Sequence, residues 1–213
     1  MNTNYENNNV AHIRGMVASE PEFSHEILGE GFYDLTVEVP RLSDQNDLIP
    51  VTISERLLKD TKIGDELSID GQFRSYNKLE DGRSKLILTL FAKELVEDSL
   101  TTNSNTITLT GYICKPPVYR TTPFGREICD CLIAVNRAYN KSDYIPCIAW
   151  GRNARFVKNL EVGSKVTIVG RIQSRQYQKK YDEDNIETKT AYEVSIASIS
   201  MDQEQPNLTS VDI

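Results

Sequence analysis

Apolar residues in this chain recur at every second position within short runs rich in Val, Ile, Thr and aromatic residues, and Gly, Pro, Asn and Asp separate the runs. That alternation is the mark of strands in a sandwich or barrel. In the second half it predicts strands at about 105–114, 126–137, 143–150, 164–177 and 188–200, and the first half repeats them at about 9–19, 31–41, 47–54, 65–77 and 84–97. Between the third and fourth run of each set the pattern becomes helical, over Arg152–Leu160 and over Glu55–Thr61, the latter behind a Ser54 cap. Five strands with a helix after the third is the order of the OB-fold barrel. The expected architecture is therefore all-β, two tandem five-stranded OB-fold barrels, each with a short helix between strands 3 and 4. Such barrels characteristically bind oligonucleotides or oligosaccharides, but a fold alone assigns no function.

The repetition holds residue by residue. Gly15 and Gly111, Pro21 and Pro117, Asp34 and Asp130, Arg41 and Arg137, Ile49 and Ile145, Pro50 and Pro146, and Arg56 and Arg152 all differ by 96, and after a short insertion Gly64 and Gly163, Gly71 and Gly170, and Ser75 and Ser174 differ by 99. Helical and propeller arrays repeat every 20 to 50 residues or so, and a spacing this long is a duplicated domain. The division expected is 1–98 for an N-terminal domain, 99–105 for a linker rich in Ser, Thr and Asn, 106–201 for a C-terminal domain, and 202–213 for a disordered tail.

Charge distinguishes the copies. The net −7 of the 213 residues divides into −9 over residues 1–98, +5 over 99–201 and −3 over the last twelve. Such asymmetry points to a polyanion partner confined to one half, against the plainer reading of two solvated surfaces that differ. Cys114, Cys129, Cys131 and Cys147 all lie in the second half without a C-x-x-C spacing, and they read as small buried thiols rather than metal ligands or disulfides. No apolar run approaches the roughly 20 residues of a membrane helix, and the polar start resembles no secretory signal, so a cytoplasmic location is expected. With His12 and His25 as the only histidines, and no phosphate loop or nucleophile elbow, neither catalysis nor a cofactor or metal is expected.

The candidate chemistry lies on one face. Residues two apart share a side of a strand, so Val166, Ile168, Gly170, Ile172 and Ser174 face the core and leave Lys165, Arg171, Gln173, Arg175 and Tyr177 as an exposed stripe. Likewise Ile145, Cys147 and Ala149 point inward, which sends Tyr144 and Trp150 outward beside Tyr139 in the preceding loop. Cations attract phosphates and flat rings stack on unpaired bases, the combination a single-stranded nucleic acid requires. Lys179 and Lys180, in the loop between strands four and five, extend the basic side. Arg41, Arg126 and Tyr112 are secondary candidates.

These residues carry a resemblance. Thr110-Gly111-Tyr112-Ile113, Pro117-Val118-Tyr119-Arg120, Leu132 to Arg137, Ala149-Trp150-Gly151-Arg152, Gly163 to Val166 and Val169 to Arg175 resemble, as an ordered set over about 105–200, the bacterial single-stranded DNA-binding proteins. The resemblance implies sequence-independent binding of single-stranded DNA in replication, recombination or repair. It assigns the family's four stacking positions to Tyr139, Tyr144, Trp150 and Tyr177, expected along one common trough. Its basic groove positions correspond to Arg152 and Arg175, with Arg137 and Arg171 close by. Because family members assemble four OB domains, it also implies a homodimer.

The first half resembles the same domain more weakly, through Arg14-Gly15, Pro21, Val37 to Arg41, Ile49-Pro50 and Ile69 to Phe73. The offset turns its four stacking positions into Ser43, Leu48, Ser54 and Lys78, leaving Tyr76 as one remaining platform, so this acidic copy is expected to serve structure or pairing. The chain also lacks the acidic Pro-Phe tip through which the family recruits replication enzymes, ending Val211-Asp212-Ile213. The competing function is an OB-fold protein-interaction module accessory to a primosome or recombination complex.

Overall fold

Asn9–Val17 (β1) buries alternate side chains, and the same period dominates Glu30–Pro40 (β3), Asn46–Ser54 (β4), Asn105–Ile113 (β7), Glu127–Arg137 (β9) and Lys141–Trp150 (β10). The computed structural model describes residues 7–43, 45–80, 82–96, 104–180 and 186–202, without the side chains of 80, 83, 179, 180 and 186. Glu66–Glu80 (β5) and Arg83–Leu95 (β6) close the first ring: β1 pairs with β3 and β5, β3 with β4, β4 with β6 in parallel, and β5 with β6. Lys165–Lys180 (β11) and Ile186–Met201 (β12) close the second in the same way, with β7, β9 and β10 in the corresponding places. Both rings have the OB-fold order.

The glycines shared at offsets 96 and 99 mark where each ring closes. A Cβ at Gly15 or Gly111 would lie under 3.0 Å from the carbonyl oxygen of Glu38 or Ala134, and one at Gly71 or Gly170 equally close to that of Phe91 or Ser195. Only glycine allows the neighbouring strand so near. The interior is filled by Val37, Ile49, Ile69 and Phe73 in the first ring and by Ile133, Ile145, Ile168 and Ile172 in the second, all fully buried.

Three expectations need correction. The helices are shorter than predicted, Glu55–Leu58 (α1) and Gly151–Val157 (α2), because α1 ends where Lys59 enters a left-handed backbone. Each ring also carries an unforeseen edge strand, Glu22–Ile27 (β2) on β3 and Val118–Thr121 (β8) on β9. Every β2 side chain is exposed, so the run has no buried face to impose an alternation. Lastly, β5 and β11 continue beyond 77 and 177. The expected linker, apart from 104 and 105, and the tail beyond 202 lie outside the described residues.

The rings join through antiparallel pairing of β1 with β7, and all twelve strands form one sheet from β2 to β8. The register has two-fold symmetry. Val10 faces Thr108 and His12 faces Thr106; moving every residue to its counterpart 96 positions away exchanges these pairs, and Ala11 opposite Ile107 maps onto itself. A pseudo-dyad therefore passes between Ala11 and Ile107. Asn9 and Asn105 repeat one further device, each bonding both backbone groups of a residue in its own ring, Phe73 at 2.7 and 3.0 Å and Ile172 at 2.7 and 2.9 Å.

Candidate nucleic-acid interface

Two carboxylates that read as surface residues are wholly buried at the junction of the rings. Asp47 accepts from the Ser174 N–H at 2.7 Å, and its counterpart Asp143 accepts from the Ser75 N–H at 2.7 Å. The serines return the contact: Ser174 Oγ accepts from the Leu48 N–H at 3.1 Å, and Ser75 Oγ from the Tyr144 N–H at 2.7 Å. Each ring thus grips the other by the same clasp, repeated about the pseudo-dyad. The offsets were the available signal, since they pair Asp47 with Asp143 and Ser75 with Ser174, but nothing local to an Asp announces burial.

These clasps account for three arginines. Arg41 grips Asp47 through Nε at 2.8 Å and Nη2 at 2.5 Å, and also donates to the Ser174 carbonyl at 2.8 Å. Arg171 reaches Asp47 at 3.1 Å and Gln173 at 3.2 Å. Arg137 Nε lies 3.3 Å from Asp143. All three charges face interior carboxylates. The hydrogen-bonded Asp47 raises the Arg41 pKa, whereas burial raises that of the Asp143 carboxyl against the lowering pull of the Ser75 N–H, Arg137 and Arg74.

Above the Asp47 clasp the rings enclose a groove of about 680 Å³, lined from the first ring by Arg41, Asn46 and Leu48 and from the second by Trp150, Arg171 and Arg175. Sequence reasoning did not bring the first ring to this place, because only the clasp does so. Trp150, 40% exposed, ends β10 and precedes α2. Its backbone has the extended geometry of an N-cap, but its indole makes no capping bond, and Gly151 behind it is left-handed at φ 53. At the same position of the first ring, Ser54 Oγ accepts from the Arg56 N–H at 3.2 Å. Removing a cap costs about 1 kcal/mol; the second ring forgoes it and presents an indole instead.

The other predicted rings are exposed but do not share this groove. Tyr144 stands on the Trp150 side of β10, six residues or about 20 Å before it, next to Ser75 of the first ring. Tyr139 sits at the tip of the β9–β10 hairpin, 94% exposed and left-handed at φ 61, a conformation uncommon for a bulky residue. Tyr177 lies farther along β11, with the Arg175 guanidinium 6.0 Å from its ring centre. The expected single trough is instead a path over β10 and β11. Arg152 is exposed on α2, Arg126 on the β8–β9 hairpin, and Tyr112 on β7 opposite Ala134 and Lys165. The side chains of Lys179 and Lys180 lie outside the described residues. In the stripe on β11, Gln173 turns out to be buried, donating to Glu193 at 2.7 Å.

The corresponding face of the first ring is filled. The Arg74 guanidinium lies 3.8 Å from the Phe91 ring centre, Phe91 packs against Phe32 at 5.6 Å, and Phe32 stacks on His25 at 5.1 Å. Burial, with Arg137 nearby, lowers the Arg74 pKa. Tyr76 is exposed on β5 beside Ser75. The four cysteines are free thiols, three of them buried. Burial raises Cys129 to about 11 and holds Cys147 well above the ordinary thiol range, which makes both poor nucleophiles. Among the described residues, no cluster of His, Cys, Asp or Glu could hold a metal, and no helix is long and apolar enough to cross a membrane.

Residues 104–202 match the model of the single-strand binding protein family. Over 83 residues the chain is 37% identical to single-stranded DNA-binding protein 1 of Staphylococcus aureus (strain COL), covering 36% of this chain and 50% of that protein. Over another 83-residue match it is 35% identical to single-stranded DNA-binding protein A of Bacillus subtilis (strain 168), covering 36% and 48%. The chain therefore spans about half the length of the curated relatives it matches. Its fold is similar to the crystal structure of the wild-type single-stranded DNA-binding protein from Thermus aquaticus, with a TM-score of 0.74 and 17% identity over 93% of this chain and 94% of that one.

Proposed function

Residues 104–202 belong to the single-strand binding protein family, and from that premise we propose that the chain binds single-stranded DNA without sequence preference, by base stacking and phosphate contacts. The observation that carries the reading is Trp150: an indole displayed at an uncapped helix start, on the wall of a groove it shares with Arg175. The strand enters this groove, stacks on Trp150 and continues towards Tyr177 along one arm and towards Tyr144 and Tyr139 along the other. Arg152 and Arg175 meet phosphates, while Arg41 and Arg171 shape the floor from Asp47 and Arg137 stays with Asp143 at the other clasp. Each stacked base contributes about 1 to 3 kcal/mol, and each phosphate neutralised steepens the log–log salt dependence by roughly 0.7. The first ring also supplies Leu48 and Asn46 to the wall. Two such chains make a homodimer with four rings, a mass that sedimentation reads directly.

Trp150 is the only tryptophan, so a thymidine oligomer should quench the intrinsic fluorescence. Trp150→Ala and Tyr177→Ala should each weaken binding about 5- to 150-fold, and Tyr76→Ala far less. Unchanged fluorescence together with unchanged affinity in Trp150→Ala would instead favour a protein-interaction module.

A further inference from the structure

The two ends of the twelve-stranded sheet are the β2–β3 and β8–β9 hairpins, equivalent under the pseudo-dyad but opposite in character. Residues 15–40 hold six carboxylates and no Lys or Arg, and Glu20, Glu22 and Glu26 stand exposed around β2. The matching residues 111–136 hold Lys115, Arg120 and Arg126 against Glu127 and Asp130, a balance of +1 beside −6, and Arg120 pairs with Asp130 at 2.8 Å, which leaves Arg126 as the cation next to the turn.

Both ends also carry apolar side chains that none of the described residues covers. At the β2–β3 turn, Leu28 is fully exposed at 103% and left-handed at φ 52, followed by Gly29 at φ 80. That geometry favours Asn-Gly, and a branched apolar residue rarely adopts it. Beside it, Ile27, Leu28 and Phe32 line a cleft of about 410 Å³ whose rim includes Glu30 and Arg56, themselves an ion pair. At the other end Phe124 stands 91% exposed at the turn of the β8–β9 hairpin, two residues from Arg126, with Val118 exposed on the adjoining strand.

We infer that these hairpins are the two halves of a contact between copies of this chain, Phe124 of one copy entering the Ile27–Leu28–Phe32 cleft of the next with Arg126 against Glu26. Charge selects the occupant. Two-fold contacts would set the carboxylates of one β2 edge against those of another, or cations against cations, whereas acidic end against basic end is attractive. Because the two surfaces are different parts of one chain, the contact is heterologous, and each copy offers both halves of it, so that it passes from chain to chain in a row. The contact is between side chains rather than an extension of the sheet, since the bulge between Phe23 and His25 and the glutamates of β2 hinder further strand pairing. On the reading that the chain binds single-stranded DNA, such a row places neighbouring chains side by side on one strand.

Sedimentation of the intact protein without DNA tests the contact independently of strand binding. The wild type should associate beyond the dimer as concentration rises, with a dependence on salt. Phe124→Ser should weaken that step about 30-fold, the change expected for a buried aromatic anchor, while leaving affinity for an oligomer long enough for one chain unchanged. Arg126→Glu and Glu26→Arg should each abolish the step, and the two combined should restore it. A wild type that does not associate past the dimer, a charge-swapped pair no better than its parents, or association unaffected by Phe124→Ser would overturn the inference. A chain that fails to bind the short oligomer yet still forms rows would overturn the strand-binding reading alone.

Discussion

After the third barrel strand the two copies part. Ser54 caps α1, whereas Trp150 leaves α2 uncapped and turns its indole to a groove. The same divergence appears across the face: where the first ring packs Arg74, Phe91, Phe32 and His25 into a ladder, the second leaves Ser195 and Gln173 small or turned aside, and a groove remains. One copy has kept local stability and the other has exchanged it for accessible surface, a common trade at functional sites. The clasps differ as well. Asp47 has two arginines within 3.1 Å, while Asp143 has Arg137 at 3.3 Å, the weaker pull of Arg74, and a carboxyl whose pKa burial raises.

The sharpest way to break this contrast is Asp47→Ala, which leaves Arg41 and Arg171 without their carboxylate. Losing one partner of a buried pair costs about 3–5 kcal/mol, read by denaturant unfolding; a loss below about 1 kcal/mol would make the first clasp dispensable. Next in size, Trp150→Ser with Gly151→Glu grafts the first copy's helix start onto the second. Unfolding should show about 1 kcal/mol more stability, while a fluorescently labelled oligomer binds about 5- to 150-fold more weakly. A stability gain without loss of affinity would separate the cap from function.

The smallest effect belongs to Asp143→Asn, which keeps the acceptor for the Ser75 N–H. Because the folded pKa is raised, the folded chain holds a proton that the unfolded chain has released. The carboxyl's stabilising contribution is therefore present at acid pH and lost as pH rises through the raised value. The variant should be as stable as the wild type at pH 7, or slightly more so, with the difference fading towards pH 4. A clear loss at pH 7 would mean that the Arg137 attraction outweighs burial.

The fold was readable because the ten barrel strands and both ring closures depend on patterns that recur: alternation, and glycines at matched offsets where only hydrogen fits. The exposure of Tyr144 and Trp150 followed from the same alternation, since Ile145, Cys147 and Ala149 fill the interior. Edge strands escaped notice because solvent on both sides of β2 erases the period. The partners of Arg41, Arg137 and Arg171 escaped notice because an Asp buried at a junction looks, in one dimension, like any other polar residue. The groove was hidden for a related reason: Leu48 and Trp150 meet only once the clasp has set one ring against the other.

The β1–β7 ladder has one further consequence. Separate subunits held by an equivalent pairing fall apart when diluted, by mass action. Here both strands belong to one polypeptide, so their encounter is governed by the effective concentration within the chain. The paired rings accordingly persist at any scarcity of protein, and each ring is free to change without having to remain compatible with an identical copy of itself.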